Sequence, residues 1–478
     1  MIIAESIWIN GVWEAGADTA LAVIDPATEK EIARVASASK EQVARAAQAA
    51  ASAQPSWGAL EAWRRGEALR AIAGCLRRHR HELAELICSE VGKPLAKALD
   101  DVENSAIYLD YMAQWDRRIE GEIVPSDNAG ETITLNRVPV GVVAAITAWN
   151  YPLDLFVRKV APALVTGNTV ILKPTEVTPL ACIRAVRLIS ESNCLPAGVL
   201  NLVTGGGPVG AALCSHPLVN MITMTGHRDT GKKIMAGAAG SLARVSLELG
   251  GSAPAIVWRD ADLDLAAEAL AFSSFENCGQ VCTSAERILV HGEVHDAFVE
   301  RLVQRADRLR LGDRHGETDL GPLVNATQFG KVTQAIDRAR AEGARLACGG
   351  YGLPSLPERG YWVRPTVITG VTPAMSLFNE ETFGPVASVT SIGSYDEAIR
   401  LANATRYGLT AFVFSNDYRL IMRAQNDLRF GEIYINRAMG EALQGFHTGH
   451  QESGIGGEDG KHGVLKYTQI RTVYHRYS

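Results

Sequence analysis

The sequence predicts an α/β protein of two or three domains, and three observations support this fold class. The chain has 478 residues, more than a single simple core usually holds. Short apolar segments alternate with helical patterns over residues 140–260, which is typical of a parallel sheet with helices on both faces. A second α/β pattern continues to about residue 440, and no sequence repeat indicates a solenoid.

The amino-terminal part is predicted to contain strands first and helices afterwards. Residues 1–35 have the pattern of short strands separated by turns. Ser39 and Gln42 have the spacing of a helix capping box, so we expect a helix over the alanine-rich run from Val43 to Ala51. Helical patterns then continue to about residue 117.

Strand patterns return at residues 118–138 and in the tail Thr468–Tyr474. These two segments can pair with each other, either within one chain or between subunits. The strands of the central parallel sheet are expected at Val140–Thr147, Asn168–Leu172, Leu200–Val203, Met221–Met224 and Pro254–Trp258.

Composition excludes several classes of function. Lys plus Arg number 47 against 53 for Asp plus Glu, so the net charge of -6 gives no electrostatic reason to expect nucleic acid. No segment approaches the roughly eighteen apolar residues of a membrane-spanning helix, and the first residues do not resemble a secretion signal. The eight cysteines lack the spacing of a zinc site and fit a reducing cytoplasm, so we expect a cytoplasmic protein without a metal.

Cys282 is the first candidate for chemistry. It ends the segment Asn277–Cys282, where Gly and Gln place the thiol on polar, turn-prone backbone instead of an apolar face. A thiol in such a position can reach a cleft and act as a nucleophile. Taken alone, however, a buried structural cysteine is the more common interpretation.

Two polar residues at strand ends strengthen the catalytic interpretation. Glu248 follows an apolar strand and precedes Gly250-Gly251, so it is either an exposed strand-end charge or a general base at the mouth of the sheet. Asn150 also follows a strand and is either a turn former or a donor to an oxyanion. Together with Cys282 they form a candidate set of nucleophile, base and oxyanion donor.

Three segments have the character of phosphate or ribose sites. Thr225–Gly231 follows a strand and opens a helix, so its amides can hold a pyrophosphate. Gly205–Gly207 is more simply explained as a flexible turn. Lys173 and Glu176 end another strand, where a carboxylate can accept both ribose hydroxyls of an adenosine and repel a 2′-phosphate.

Six motifs occur in a characteristic order along the chain: Ala148–Pro152, Lys173–Glu176, Met224–Gly226, Leu247–Gly251, Asn277–Cys282 and Glu381–Val386. With these motifs the chain resembles the aldehyde dehydrogenase superfamily over essentially its full length, and the separation of Glu248 and Cys282 fits that family as well.

The resemblance implies a Rossmann-like cofactor domain, an α/β catalytic domain and a β extension that joins subunits. The implied boundaries are residues 1–117 and 139–250 for the NAD-binding domain and 251–450 for the catalytic domain. Residues 118–138 and 451–478 would form the oligomerisation extension of a homo-oligomer, either a dimer or a tetramer.

The resemblance also implies roles for individual residues. Cys282 would be the nucleophile, Glu248 the base and Asn150 the oxyanion donor. Because family members that transfer the acyl group to coenzyme A typically lack this Glu, a free carboxylic acid is the expected product. The cofactor NAD would be bound by Thr147, Trp149, Lys173, Glu176, Gly226, Gly231, Glu381 and Phe383.

Two positions depart from the family pattern. His227 replaces the Ser that usually follows Thr-Gly, which puts the contact with the pyrophosphate in question. Ser252 replaces the Lys that usually follows Gly-Gly, at a position outside the chemical steps.

Arg158, Glu441 and His447 are the candidate substrate residues. Arg158 follows Asn150 and Asp154 at helical spacing, which fits either a polar substrate pocket or a surface ion pair. With Glu441 and His447 it resembles the branch of the family that oxidises lactaldehyde and glycolaldehyde.

The alternatives are an enzyme for semialdehydes, in which Arg158 grips a carboxylate, and a non-enzymatic binding protein on the same fold. The presence of a complete nucleophile, base and oxyanion-donor set speaks against the second alternative.

Overall fold

The structure, a computed structural model, describes residues 2–3 and 5–478. The strands are β1 Ile2–Ile3, β2 Ile7–Ile9, β3 Val12–Glu14, β4 Asp18–Asp25, β5 Lys30–Ser37, β6 Glu122–Val124, β7 Glu131–Pro139, β8 Val142–Ile146, β9 Thr169–Lys173, β10 Leu200–Leu202, β11 Met221–Thr225, β12 Arg244–Glu248, β13 Ala253–Val257, β14 Ala285–His291, β15 Arg345–Gly350, β16 Arg364–Thr369, β17 Val386–Ile392, β18 Thr410–Phe414, β19 Glu432–Ile435, β20 Gly454–Ile455 and β21 Thr468–Arg476.

The helices follow the order that the sequence predicts. They are α1 Lys40–Ala59, α2 Ala62–Arg78, α3 Arg80–Val91, α4 Leu95–Ala113, α5 Pro152–Val165, α6 Leu180–Ser192, α7 Gly207–Cys214, α8 Arg228–Ala238, α9 Leu263–Phe275, α10 His295–Arg308, α11 Ala326–Ala341, α12 Ser376–Asn379, α13 Tyr395–Asn403, α14 Tyr418–Asp427 and α15 Gly460–Leu465. Within the described ranges, no helix is long and apolar enough to cross a membrane.

The first large sheet has the strand order β20-β12-β11-β8-β9-β10-β2-β3. Its centre from β12 to β10 is parallel, while β2, β3 and β20 pair antiparallel at the two edges. β8 and β9 are apolar and almost completely buried, as expected for strands covered by helices on both faces. Four of the five strands predicted for this sheet occur in it within two residues of their predicted ends, and the prediction is wrong for the fifth, Pro254–Trp258, which belongs to the second large sheet.

The second large sheet has the order β15-β16-β17-β14-β13-β18-β19 and is parallel except for β15. The predicted strand Pro254–Trp258 is its member β13. Helices α9, α10 and α11 contribute buried apolar residues to a core around this sheet, separate from the cores of the first sheet. The α/β fold class is therefore confirmed.

A three-stranded sheet, β21-β7-β6, stands apart from the two large sheets. β21 pairs with β7 along its whole length, from Thr468 opposite Pro139 to Arg476 opposite Glu131. The pairing of the tail with residues 118–138 therefore occurs within the chain. The segment 451–478 contributes to two different sheets, however, because Gly454–Ile455 pairs with β12 at the edge of the first sheet.

The predicted start of the first long helix is also observed. The Ser39 side chain accepts a hydrogen bond from the Gln42 amide, and the Gln42 side chain accepts one from the Ser39 amide, which forms the capping box. The helix continues beyond the predicted alanine run to Ala59.

Candidate active site

A cavity of about 620 Å³ lies where loops from both large sheets meet. The structure brings the three residues predicted for catalysis and the three predicted for the substrate to the wall of this cavity: Cys282, Glu248, Asn150, Arg158, Glu441 and His447. Residues that are far apart in the sequence thus meet in one volume large enough for a cofactor portion and a small substrate.

The strand ends and one irregular loop position the central residues. Asn150 lies on the loop that joins β8 to α5, and Glu248 is the last residue of β12. Cys282 follows a 3-10 turn at Glu276–Gly279, in which Asn277 and Cys278 have φ values of 51° and 57°. Residues other than glycine adopt this backbone region only with strain. The surrounding structure therefore holds the loop before the thiol in this conformation.

Hydrogen bonds join the Asn150 loop to the loop that carries the thiol. The Asn150 Nδ2 donates to the carbonyl oxygen of Gln280 at 3.0 Å, and the Asn277 Nδ2 donates to the carbonyl oxygen of Asn150 at 3.3 Å. The Gln280 Oε1 accepts from the Val324 amide at 2.9 Å, which fixes the second loop to the segment before α11. The side-chain amide of Asn150 is therefore hydrogen-bonded to a residue that lies two positions before Cys282, the predicted nucleophile.

Glu248 is a buried carboxyl group without a strong partner. Its exposed fraction is 3%, and neither of its side-chain oxygens has a hydrogen-bond donor among the described residues. Burial raises the pKa of Glu248 to about 8, although the nearby His447 opposes this rise. A carboxyl group with a pKa near neutral pH can take up and release a proton during catalysis.

Cys282 is half-buried and lines the same cavity as His447. Burial leaves the pKa of the Cys282 thiol above its ordinary value; the nearby His447 opposes this rise, and the carboxylates of Glu441 and Glu248 add to it. The imidazole lies between carboxylates, with Nδ1 3.0 Å from the Glu432 Oε2 and Nε2 3.7 Å from the Glu248 Oε2. These partners outweigh the effect of burial and raise the pKa of His447 well above its ordinary value.

Arg158 is surrounded by carboxylates. Its guanidinium nitrogens lie 3.0 Å from the Asp154 Oδ2, 3.5 Å from the Asp459 Oδ2 and 3.9 Å from the Glu441 Oε2. Burial raises the pKa of Asp154 to about 6, while His447 and Arg158 overcome burial and hold the pKa of Glu441 below its usual value. Arg158 is therefore ion-paired with Asp154, but the pair lies in the cavity wall and not on the open surface, and the role of Arg158 towards a substrate stays a prediction.

A second buried ion pair supports this wall. Lys159 Nζ lies 2.5 Å from the Glu458 Oε1, and both side chains are almost completely buried. Although burial alone would raise it, the attraction of Lys159 and Lys466 lowers the pKa of Glu458 to about 2. The backbone of Glu458 pairs with that of His447 in an isolated β-bridge, so the ion pair also anchors the histidine.

Four of the residues predicted to bind the cofactor line the same cavity: Trp149, Gly226, Glu381 and Phe383. The Glu381 Oε1 accepts a hydrogen bond from the Gly251 amide at 2.8 Å. A Cβ atom on Gly250 would lie 2.4 Å from the Glu381 Oε2, so the glycine permits this close approach. The rings of Trp149 and Phe383 meet edge to face with centroids 5.3 Å apart.

The other predicted cofactor residues lie outside the lining of this cavity. Lys173 Nζ lies 3.5 Å from the exposed Glu176 carboxylate, as the sequence predicts for a strand-end pair. The Thr147 hydroxyl is buried and has no hydrogen-bond partner in the described part of the chain. Gly231 is buried where a Cβ atom would lie 2.8 Å from the Leu249 side chain, so the glycine permits close packing of α8 on the loop after β12, and its contact with the cofactor stays a prediction.

The whole chain was then compared with known proteins. The model of the aldehyde dehydrogenase family matches residues 13–473. Lactaldehyde dehydrogenase of Escherichia coli (strain K12) is 45% identical over 460 residues, which cover 96% of this chain and 95% of that protein. The chain belongs to the aldehyde dehydrogenase family. It is accordingly an oxidoreductase that acts on aldehydes with a nicotinamide cofactor.

Two further comparisons describe its position within this family. A 3,6-anhydro-alpha-L-galactose dehydrogenase of Vibrio sp. (strain EJY3) is 41% identical and aligns over 98% of both chains. The crystal structure of lactaldehyde dehydrogenase from Escherichia coli superposes with a TM-score of 0.96 at 44% identity and covers 98% of this chain and 99% of that one. The family resemblance and the fold that it implied are therefore confirmed.

The structure gives a reason for one departure from the family pattern. His227 is the N-cap residue of α8, and its Nδ1 accepts a hydrogen bond from the Asp229 amide at 3.2 Å. A serine hydroxyl commonly makes this contact at the start of a helix. The histidine therefore provides the same capping hydrogen bond in place of the serine, without lengthening the loop. For the other departure, Ser252 is buried, and its carbonyl oxygen accepts two hydrogen bonds from Arg287.

Several site residues were not found by sequence reasoning. Glu432 bonds His447, and Asp459 faces Arg158 with an exposed fraction of only 1%. Glu286 accepts hydrogen bonds from the amides of Thr382 and Phe383 and so shapes the loop after Glu381. Glu286 is a charged residue within the otherwise largely apolar strand β14. Among these residues it is the one whose sequence context could have indicated a functional position.

The cluster of Glu432, Glu441 and His447 has the composition of a metal site, with one ligand-type atom from each residue within 4.8 Å of the others. We interpret it as a hydrogen-bonded ion cluster, because Glu432 bonds the imidazole directly at 3.0 Å. The sequence prediction that the protein holds no metal stays a prediction.

Proposed function

We propose that this enzyme oxidises a short α-hydroxyaldehyde, such as lactaldehyde or glycolaldehyde, to the free carboxylic acid with NAD. The observation that carries the proposal is the polar cluster of Arg158, Glu441 and His447 in the same cavity as Cys282. An enzyme for fatty or aromatic aldehydes would present apolar walls there, because an alkyl chain would remove water from these charged groups without offering a hydrogen bond in return, at a cost of about 1–3 kcal/mol each.

The charge around Arg158 favours a hydroxylated substrate over an anionic one. Three carboxylates, of Asp154, Glu441 and Asp459, lie within 4.0 Å of the guanidinium group. Their combined charge exceeds that of the single cation, so a substrate carboxylate would meet repulsion instead of a free arginine. This argues against the alternative of a semialdehyde dehydrogenase.

The residues near the cavity fit a nicotinamide dinucleotide. The buried hydroxyls of Thr147 and Thr225 lack hydrogen-bond partners among residues 2–3 and 5–478, and such groups are normally satisfied by a ligand or water. Glu381, Trp149 and Phe383 would hold the nicotinamide end, and Gly226 the pyrophosphate. When bound, NAD supplies the acceptor for the hydride that leaves the aldehyde carbon.

Selection of NAD over NADP is assigned to Glu176. Its carboxylate is exposed and lies 3.5 Å from the buried Lys173 ammonium, in a position to accept from ribose hydroxyls. A 2′-phosphate on that ribose would face the carboxylate and be repelled. Equal kcat/KM with NAD and NADP for the native enzyme would contradict this assignment.

The residues of the chain would act in a fixed order. The thiolate of Cys282 adds to the aldehyde carbon, and the Asn150 side-chain amide and the Cys282 amide hold the resulting oxyanion. After oxidation the acyl group remains on the sulfur as a thioester. Glu248 then removes a proton from the water that attacks the thioester, which releases the acid and restores the thiol. A free thiol of this kind requires a reducing compartment, so the proposed location is the cytoplasm.

Assembly into a homo-oligomer is proposed from the three-stranded sheet. Ile123, Ile470 and Tyr474 are large apolar side chains with exposed fractions of 77%, 56% and 65% on its strands. The register places Ile470 and Tyr474 on one face of the sheet and Ile123 on the other, and exposed apolar side chains on a small sheet of this kind are typical of surfaces that another subunit covers. We retain the predicted domain boundaries, with residues 118–138 and the tail as the extension.

An aldehyde panel tests the proposed substrate. Glycolaldehyde, lactaldehyde, succinic semialdehyde and hexanal are compared by NADH formation with the native enzyme. The proposal expects kcat/KM for at least one of the two hydroxyaldehydes to exceed that for hexanal and for succinic semialdehyde. A higher kcat/KM for hexanal would contradict the polar-pocket argument, and a higher value for the semialdehyde would contradict the charge argument. The family assignment would survive either result.

A further inference from the structure

His447 has fixed contacts on both sides of its ring. Nδ1 is bonded to the Glu432 Oε2 at 3.0 Å, which leaves Nε2 as the ring nitrogen available to the Cys282 thiol and to Glu248. The backbone is pinned by two hydrogen bonds with Glu458, from the His447 amide at 3.0 Å and to the His447 carbonyl oxygen at 2.6 Å. The ring thus has little freedom to turn away from the sulfur.

The charges around the imidazole are mostly negative. Glu248 from β12, Glu432 from β19 and Glu441 from the following loop all lie within 4.0 Å of a ring nitrogen. Asp459 adds a further carboxylate on the side of α15, while Arg158 is the nearby cation and is itself paired with Asp154, Asp459 and Glu441. This surplus of negative charge stabilises a protonated ring beside Cys282.

We propose that His447, held as an imidazolium by Glu432, hydrogen-bonds to Cys282 and stabilises its thiolate before the aldehyde binds. In this step the S–H bond breaks, the proton is released to water in the cavity, and the sulfur keeps the electron pair, so no co-reactant is needed. His447 is then a catalytic residue through its contact with the reacting sulfur, and Glu432 is its positioning residue. The inference rests on the proposed role of Cys282 and adds to it which group favours ionisation of the half-buried thiol.

The physical reason is the balance of two opposite effects on the thiol. Burial alone raises the pKa of Cys282, which would leave little thiolate at neutral pH. The carboxylates of Glu441 and Glu248 add to that rise, whereas a cation next to the sulfur opposes it, because the ion pair replaces the water that the thiolate loses. Without His447 the pKa of the thiol should lie higher still, and the fraction of thiolate at neutral pH should fall.

Alkylation of the intact enzyme by iodoacetamide tests the inference without aldehyde or NAD. The rate of modification at Cys282 is followed by peptide mass spectrometry from about pH 5 to about pH 10, so that the other cysteines do not contribute. His447→Gln keeps a hydrogen-bond donor and removes the charge, and its rate at neutral pH should fall about tenfold, with the difference disappearing at high pH. Glu432→Gln should lower the rate in the same direction by about threefold.

The matched control is an exposed pair of the same chemistry. His315 Nε2 lies 2.9 Å from the Glu85 Oε2 outside the cavity, so His315→Gln and Glu85→Gln should leave the profile of Cys282 unchanged. Unfolding temperature and NAD affinity establish that each variant is folded, and Glu432→Gln carries the test should His447→Gln not fold. An unchanged alkylation profile in the folded variants overturns the inference.

The outcome separates this inference from the proposed substrate. A normal alkylation profile in His447→Gln together with a loss of kcat/KM for hydroxyaldehydes would mean that His447 only binds substrate, which overturns the inference and leaves the proposed function intact. Slower alkylation with no preference for hydroxyaldehydes in the native enzyme would support the inference and refute the substrate class.

Discussion

Replacement of Glu248 by Gln should separate the two halves of the reaction. The substitution preserves the shape of a side chain that is 3% exposed and has no donor among the described residues, but it removes the group that can accept a proton. Formation of the thioester does not need this base, so the first turnover should be normal. Hydrolysis of the thioester should be slow, and NADH should appear as a burst equal to the enzyme concentration.

The expected pH dependence of the deacylation rate follows from the pKa of Glu248, which burial raises to about 8. A carboxyl group with that pKa is about one tenth ionised at pH 7 and about nine tenths ionised at pH 9. Since only the ionised form can accept a proton, deacylation by the native enzyme should rise about tenfold over this interval. In Glu248→Gln the rise should be absent, and the steady rate should be lower by about 10²- to 10⁴-fold.

Rapid mixing with detection of NADH measures the burst and the steady rate together. Glu90 provides a matched control, because burial also raises its pKa to about 8 while its carboxylate accepts hydrogen bonds from the amides of Leu180 and Ala181 away from the cavity lining. Glu90→Gln should keep both the native burst and the native pH profile. Loss of the burst in Glu248→Gln, with both ligands still bound, would refute the assignment of Glu248 to deacylation.

Four further variants test separate parts of the account. Asn150→Ala should lower kcat by about 100- to 1,000-fold with NAD affinity unchanged, and a smaller loss would argue against an oxyanion donor. Arg158→Leu should lower the glycolaldehyde to hexanal ratio of kcat/KM about tenfold, and an unchanged ratio would remove Arg158 from the substrate site. Glu176→Gln should reduce the preference for NAD over NADP about tenfold, measured as a ratio of kcat/KM, and an unchanged preference would refute its role. Lys159→Met leaves Glu458 buried and weakly paired, so urea unfolding should report a loss of roughly 3 kcal/mol, and a neutral effect would mean that the pair does not stabilise the fold.

The elements of the fold were largely predictable because their signals are local. The capping box at Ser39 and Gln42 marks the first long helix, and the apolar runs of the parallel sheet lie within two residues of their observed bounds. The helix after Asn150 was likewise predicted from its pattern and is observed as α5. The strand Gly454–Ile455 was missed, since two residues beside glycines carry no strand periodicity and pair only because β12 offers a free edge.

The candidate site was predictable only in part, because its energetics depend on contacts between distant residues. Cys282, Glu248 and Asn150 stand at strand ends and in a polar loop, so their sequence context marks them. Glu432 is an ordinary charge at the start of a strand, and only the fold brings it to the ring of His447. The structure likewise gives Gly231 a packing role against Leu249, which no glycine pattern distinguishes from phosphate binding.

The most direct test of the central claim is to trap the acyl group on the enzyme. Glu248→Gln is mixed with NAD and with the aldehyde of the panel that the native enzyme oxidises fastest, and the quenched protein is digested and weighed by mass spectrometry. The account predicts one acyl group per chain, carried by the peptide that contains Cys282 and absent when Cys282 is also replaced by Ala. Formation of NADH with no acyl group on Cys282, or with the acyl group on another residue, would contradict the account.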